Sequence, residues 1–483
     1  MKQTFLFALL TLLVMSCSQP EIPQKAIITG EVLSGKAKKV DFEWIIDNPI
    51  NPIGKAYSAP LDSNAHFSIE IPVERLATGR IKVGRFYHEI SLMPGDDFFV
   101  TVDADTIQYS GHGANKNNFL YKAEVQGLWN RSFYTEINKG ELSPEEFVPA
   151  MKTFKQKRFD LLKTFQDSAK LQKEFVEAYK IETEVNFEDI VQAYPRRYAY
   201  KNKTSVDSLI LPVEYNHFNN LTNIVDDSRI ISPNYIRNLG NMVYSKTREV
   251  IKKDTTLKWE NAKYTILFDS LSGKTREYII AGFICKQFSH DKYDSIAIDK
   301  FNSIEKDQLS TNTVNTALKK FNEKRALIDQ PLHKEFTETV LVDTLKNNVS
   351  FGEMMQKHKG KVVYLDLWSM GCGPCRAAMP YAKILKEKLK DEPVEFVYLS
   401  ADFVGKKNWA KVFDATHTTE NHYFLKNGFN SKMLQFMEIK WVPNYMIFDK
   451  EGKLVSFNAD RPSRSIEKGE TKLEKTLRDL AAM

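Results

Sequence analysis

Hydrophobic and polar positions change their period along the chain. Between about residues 24 and 112, short alternating runs dominate, such as Phe67-Ser68-Ile69-Glu70-Ile71, Ile81-Lys82-Val83 and Phe98-Phe99-Val100-Thr101-Val102. Period-two alternation gives each run one face for a core and one for water, which is how strands behave. Turn signals such as Pro94-Gly95-Asp96 separate the runs. Strands this short and closely spaced predict an N-terminal antiparallel β-sandwich over residues 24–112. From about 113 to 330 the period becomes helical. Ser143-Pro144-Glu145-Glu146 has the form of a capping box with proline at the first helical position, followed by an apolar stripe of Phe147, Met151, Phe154, Leu161, Leu162 and Phe165. Ser232-Pro233 opens another helix with Tyr235, Leu239, Met242 and Val243 on one side, and residues 312–328 read as a further one. This stretch is a central all-α module without a fixed-period repeat. Residues 331–483 form a third region.

The first residues bear on location. Lys2 precedes an apolar stretch from Phe5 to Met15, then Ser16-Cys17 and the polar, proline-containing stretch Ser18-Gln19-Pro20-Glu21-Ile22-Pro23. An apolar run of about ten residues is too short for a bilayer-spanning helix and reads as a signal peptide, residues 1–16. Val14-Met15-Ser16-Cys17 resembles the bacterial lipobox. That resemblance implies an acylated Cys17 at the new N-terminus, residues 17–23 as a tether, and an anchor in the membrane through lipid. Ser18 resembles the outer-membrane default, and the tether lacks the acidic run associated with surface export, so a periplasm-facing outer-membrane lipoprotein is expected.

Composition adds exclusions. Of 483 residues, 42% are hydrophobic and 27% charged, which rules out disorder and fibrous repeats and leaves room for about three domains. The 68 Lys+Arg against 62 Asp+Glu give a net charge of +6, with no basic block interleaved with aromatics, so no nucleic-acid partner is expected. The nine histidines include no His-Glu-x-x-His spacing, and neither a metal nor another cofactor is called for. Ser272-Gly273-Lys274-Thr275 imitates the tail of a phosphate-binding loop, but Phe268 stands where that loop requires glycine. Cys285, within an apolar run, reads as a buried inert thiol.

The chemistry lies in the third region. Lys361 to Trp368 is an apolar run of the kind found in a strand buried on both faces, and it leads directly into Cys372-Gly373-Pro374-Cys375 and a helical stretch from Ala377 to Leu389. On the first turn of a helix, Cys372 would meet free N–H groups and the positive end of the helix dipole, which favours its thiolate as attacking nucleophile. Cys375, one turn on, would be the deeper resolving thiol. Arg376 is either a further support of the thiolate or a solvated surface residue. Asp366 is a charge in a strand that should be buried. It is either a proton acceptor for Cys375 with a raised pKa or the structural partner of a lysine.

These residues, with Pro380 in the helix, resemble thioredoxin. Trp441-Val442-Pro443-Asn444 through Leu454 resembles that family's cis-proline loop, strand and hairpin. The stretch containing Trp409 and Tyr423-Phe424-Leu425 resembles the TlpA/ResA branch of tethered extracytoplasmic thioredoxins. The resemblance covers about 337–483 and implies an α/β thioredoxin-like fold, catalysis by Cys372, Cys375 and Asp366, a cis Pro443, and substrate contacts from Trp368, Val442 and Pro443. Ile28-Thr29-Gly30-Glu31-Val32 and Ser110-Gly111-His112-Gly113-Ala114-Asn115 resemble the β-domain that precedes thioredoxin-like domains in many Gram-negative lipoproteins. Gly371 stands where many family members have tryptophan, and Asp366 where the TlpA/ResA branch often has asparagine. The expected function is reduction of disulfide-containing protein substrates, with a membrane electron donor re-reducing the pair. A binding scaffold with an accessory thioredoxin-like domain, a net oxidase or isomerase, a zinc site and a permanent structural disulfide are the alternatives.

Overall fold

The computed structural model describes residues 24–130, 135, 140–218, 220–402 and 421–483. Cys17 with its tether, and Trp409, lie outside the described residues. The chain divides into two compact units, one running through Phe283 with Ile296–Ser310, the other made of Ile284–Ser295 with Thr311–Met483.

In the first unit the alternating segments form β1 (Lys25–Val32), β2 (Lys39–Ile46), β3 (Lys55–Pro60), β4 (His66–Pro72), β5 (Ala77–Val83), β6 (Phe86–Leu92), β7 (Asp97–Asp103) and β8 (Thr106–His112). They build two four-stranded sheets in the orders β4-β1-β7-β8 and β3-β2-β5-β6. Inward residues of both, among them Ile28, Phe42, Ile81, Phe98 and Val100, merge into one apolar core. The all-antiparallel expectation is corrected at one place: β1 pairs parallel with β7, Ile28 opposite Phe98. A parallel pair needs a long crossover, and the chain between β1 and β7 supplies it, adding β4 to the first sheet and building the second from β2, β3, β5 and β6.

Helix α1 (Ala114–Val125) closes the edges of both sheets. The Asn117 side chain accepts from Ser91 N at 2.8 Å and donates to Ser91 O at 3.1 Å on edge strand β6. Asn118 does the same for Tyr109 on edge strand β8, at 3.1 and 2.8 Å. An exposed edge would invite pairing with other chains; here two amides take the place of a strand. At the Pro94-Gly95-Asp96 turn, buried Asp96 accepts from Lys116 Nζ at 2.7 Å to each oxygen and from Met93 N at 2.7 Å.

The helical region begins as its caps predict. Ser143 and Glu146 form the capping box of α2 (Pro144–Ser168), and Phe147 stacks on Tyr194 of α3 (Lys173–Lys201). Ser232 caps α4 (Pro233–Lys253), which is followed by α5 (Trp259–Ser270) and α6 (Gly273–Ser289). The helix expected over 312–328 runs from Gln308 to Arg325 and is labelled α7. At the start of α6, Asp227 accepts from Lys274 N at 2.9 Å and from Thr275 N at 2.8 Å. A protein carboxylate thus occupies the place that a phosphate would need, in keeping with the rejected loop motif.

The second unit carries a seven-stranded sheet in the order β10-β9-β13-β12-β11-β14-β15, from β9 (Val340–Val342), β10 (Asn348–Ser350), β11 (Val362–Trp368), β12 (Val394–Ser400), β13 (His422–Leu425), β14 (Asn444–Phe448) and β15 (Leu454–Ser456). Every residue of central β11 is buried. Its Val363, Leu365 and Leu367 pack with α8 (Phe351–Lys357). Tyr364 and Trp368 face the other way, with α9 (Gly373–Lys388) and α10 (Lys472–Ala482). Helices on both faces explain why β11 reads as a continuous apolar run. Among the described residues no helix is long and apolar enough to cross a membrane.

Candidate active site

Strand β11 ends at Trp368 and α9 begins at Gly373, so a four-residue turn carries Cys372 to the helix N-cap. Pro374 sits in the first turn, where its missing N–H costs nothing. Cys372 and Cys375 form a disulfide with their Cα atoms 5.3 Å apart. Cys375 N donates to Cys372 Sγ at 3.0 Å, and in the reduced protein the same N–H would stabilise a thiolate. Cys372 is half-buried, whereas Cys375 is fully buried. A side-chain carbon added at Gly371 or Gly373 would meet nothing within 4 Å, so the surface over Cys372 is open.

Asp366 lies on β11 between Tyr364 and Trp368, and alternation puts all three on the face that packs against α9 and Cys375. Its neighbours across the sheet are Tyr398 on β12 and Tyr445 on β14. Asp366 is 2% exposed, and neither carboxylate oxygen has a hydrogen-bond partner. Burial pushes its pKa up to about 8, and among the described residues no cation offsets the loss of water. The structural lysine partner, one of the two readings of this residue, is not found among the described residues. Burial, and behind it the Asp366 charge, in turn push the phenols of Tyr398 and Tyr445 well up. Nothing local in the sequence marks these tyrosines, because strand register brings them beside the acid.

The Val442–Pro443 peptide is cis. Val442 is partly buried against the same apolar cluster as Cys372 and Cys375. Trp441, one residue earlier, is 52% exposed. Trp368 corrects an expectation: its ring is fully buried in that cluster, so it packs behind the site and offers no surface to a substrate. Arg376 is exposed, and Cys285 is a free thiol buried on α6, its pKa raised to about 12 by burial. At neutral pH such a thiol is inert as a nucleophile. Among the described residues no group of three or more His, Cys, Asp or Glu could hold a metal ion.

Comparison with known proteins fits this geometry. Residues 360–454 match the Thioredoxin-like family, and this part of the chain is a thioredoxin-like domain. The thiol-disulfide oxidoreductase ResA of Bacillus cereus (strain ZK / E33L) is 32% identical over 99 residues, 20% of this chain and 54% of that protein. ResA of Bacillus thuringiensis subsp. konkukian is 30% identical over 103 residues, 21% of this chain and 56% of that protein. The chain thus spans about half the length of the curated relatives it matches. Among solved structures, the thioredoxin domain of a thiol-disulfide oxidoreductase from Bacteroides vulgatus is 24% identical, with a TM-score of 0.25, covering 31% of this chain and 99% of that one.

Proposed function

We propose that this protein is a thiol:disulfide oxidoreductase that reduces disulfides in protein substrates, held by lipid on Cys17 at a periplasm-facing outer membrane. The observation that carries the reading is the pairing of an accessible cysteine at a helix N-terminus with a buried cysteine on the face of an unpaired buried acid. In the reducing direction the Cys372 thiolate attacks a substrate disulfide, forming one S–S bond and releasing one substrate thiolate. Asp366 accepts the proton of the Cys375 thiol, and the resulting thiolate attacks Cys372 Sγ and releases the second substrate sulfur. Two electrons and two protons leave the dithiol, and the Cys372–Cys375 disulfide of the structure remains. A membrane electron donor must then restore the dithiol. Val442 offers its backbone beside the disulfide for an extended substrate segment, as the thioredoxin resemblance implies. The short apolar leader and Cys17 support the anchor, and the single core shared by two sheets supports a sandwich for the N-terminal domain.

Equilibrating a soluble fragment beginning at Ser18 against glutathione and dithiothreitol buffers tests the direction. A potential near the roughly −270 mV of thioredoxin agrees with a reductase, one near −120 mV reverses the direction, and failure to exchange leaves a binding scaffold. Metabolic labelling with a radioactive fatty acid, lost in Cys17→Ala, tests the anchor.

A further inference from the structure

The turn from Ser369 to Cys372 presents the nucleophile; Met370 and Cys372 pack against the apolar cluster, and Gly371 and Gly373 add no side chain to hold it. Inside the turn, Cys372 N donates to Ser369 O at 3.1 Å. From outside, Met370 N donates to Asp402 Oδ2 at 2.7 Å, which ties the turn to the chain just past β12. The carboxylate is itself aimed. Ser400 Oγ donates to Asp402 Oδ2 at 3.1 Å, and Asp402 N donates back to Ser400 Oγ at 3.2 Å. Ser400 is buried and stands opposite Trp368 in the parallel register, and Ala401 N donates to Trp368 O at 2.8 Å. The rigid sheet therefore sets the place of Asp402, and Asp402 sets the place of the turn.

We propose that Asp402 is a positioning residue for Cys372: it clamps the turn that carries the nucleophile and moderates the acidity of its thiol. This deepens the oxidoreductase reading and rests on it. The clamp holds Cys372 at the N-cap, where Cys375 N can meet its sulfur. The negative charge, held on the Met370 N–H two residues before Cys372, acts in the opposite sense, since a carboxylate disfavours a thiolate forming beside it. Among the described residues, the other ionisable groups on the elements that carry or pack against the thiols include Asp366 and Tyr364 on β11, Tyr398 on β12, Tyr445 on β14, and Arg376 and Tyr381 on α9. Against the helix N-terminus, which favours the thiolate, the Asp402 carboxylate restrains it, which keeps the dithiol a good electron donor.

Asp402→Asn keeps an oxygen acceptor for Met370 N and removes the charge, and Asp402→Ala removes both. The readouts, on the full soluble chain reduced and freed of reductant, are the pH dependence of iodoacetamide alkylation of Cys372, the rate of insulin disulfide reduction, and the melting temperature. In both variants the alkylation midpoint moves down by about half a pH unit, roughly a threefold shift in thiolate population at a fixed pH below the midpoint. Only the alanine variant also loses insulin reduction, by about tenfold, as a misplaced nucleophile should. A midpoint equal to the parent's in Asp402→Asn overturns the proposal, even if the melting temperature falls, because a merely structural residue would move only stability. Asp402→Asn decides the matter if the alanine variant does not fold. Alkylation needs only the free thiol, so the result is read even if the parent reduces no protein disulfide.

Discussion

Among the described residues two aspartates, Asp96 and Asp366, are buried, and their surroundings differ completely. Asp96 receives the Lys116 ammonium on both oxygens and the Met93 N–H, with both charged side chains fully buried. Asp366 receives nothing, and the groups beside it across the sheet are two tyrosines. A buried charge that is paired and hydrogen-bonded fixes a turn and a helix in place. One left without a partner costs stability at neutral pH and persists only where something other than folding retains it. That contrast, in one polypeptide, separates a structural acid from a working one.

The largest expected effect comes from breaking the satisfied pair. Asp96→Ala strands the Lys116 ammonium and should lower stability in urea unfolding by about 3–5 kcal/mol, while Asp96→Leu with Lys116→Met should recover most of the loss. The mirror experiment removes the unpartnered carboxyl. The folded-state pKa of Asp366 lies above its unfolded value of 3.8, so its carboxyl imposes no penalty below pH 4 and stability falls as pH rises toward about 8. Asp366→Asn should therefore gain about 4 kcal/mol at pH 7, by the same unfolding measurement, and nothing at pH 3.5. Substitution of Asp96 should lower the rate per folded molecule little, whereas Asp366→Asn should lower it strongly despite the gain in stability.

A smaller effect follows at the sheet edge. Asn117→Ala leaves both backbone groups of Ser91 on β6 without their amide, and about 1–3 kcal/mol of stability should be lost in the same assay. The smallest effect is at the other cysteine. Cys285→Ala should leave insulin reduction within about twofold of the parent, because a buried thiol with so high a pKa takes no part in exchange.

Much of this was legible in the residues. Alternation located strands such as Asp97–Asp103, serines followed by proline marked the starts of α2 and α4, and Cys372 to Cys375 declared a helix N-terminus. Asp366 stood out because an acid contradicts the apolar run around it. What stayed hidden depends on pairing between distant segments. Alternation carries no strand direction, so the parallel β1–β7 pair was invisible. Nothing in Asn117, Asn118, Tyr398, Tyr445 or Asp402 announces a role until register and packing bring each beside its partner. The substrate contact that the thioredoxin resemblance implied for Trp368 meets the same limit, because only the sheet shows which way its ring faces.

The most direct test of the working acid is the pH profile of the second-order rate at which the reduced soluble chain reduces insulin, for the parent and for Asp366→Asn. The account predicts an inflection near pH 8 in the parent that disappears in the variant, together with a lower rate between pH 6 and 9. An unchanged profile and rate in Asp366→Asn would contradict it and leave Asp366 a buried charge without a function.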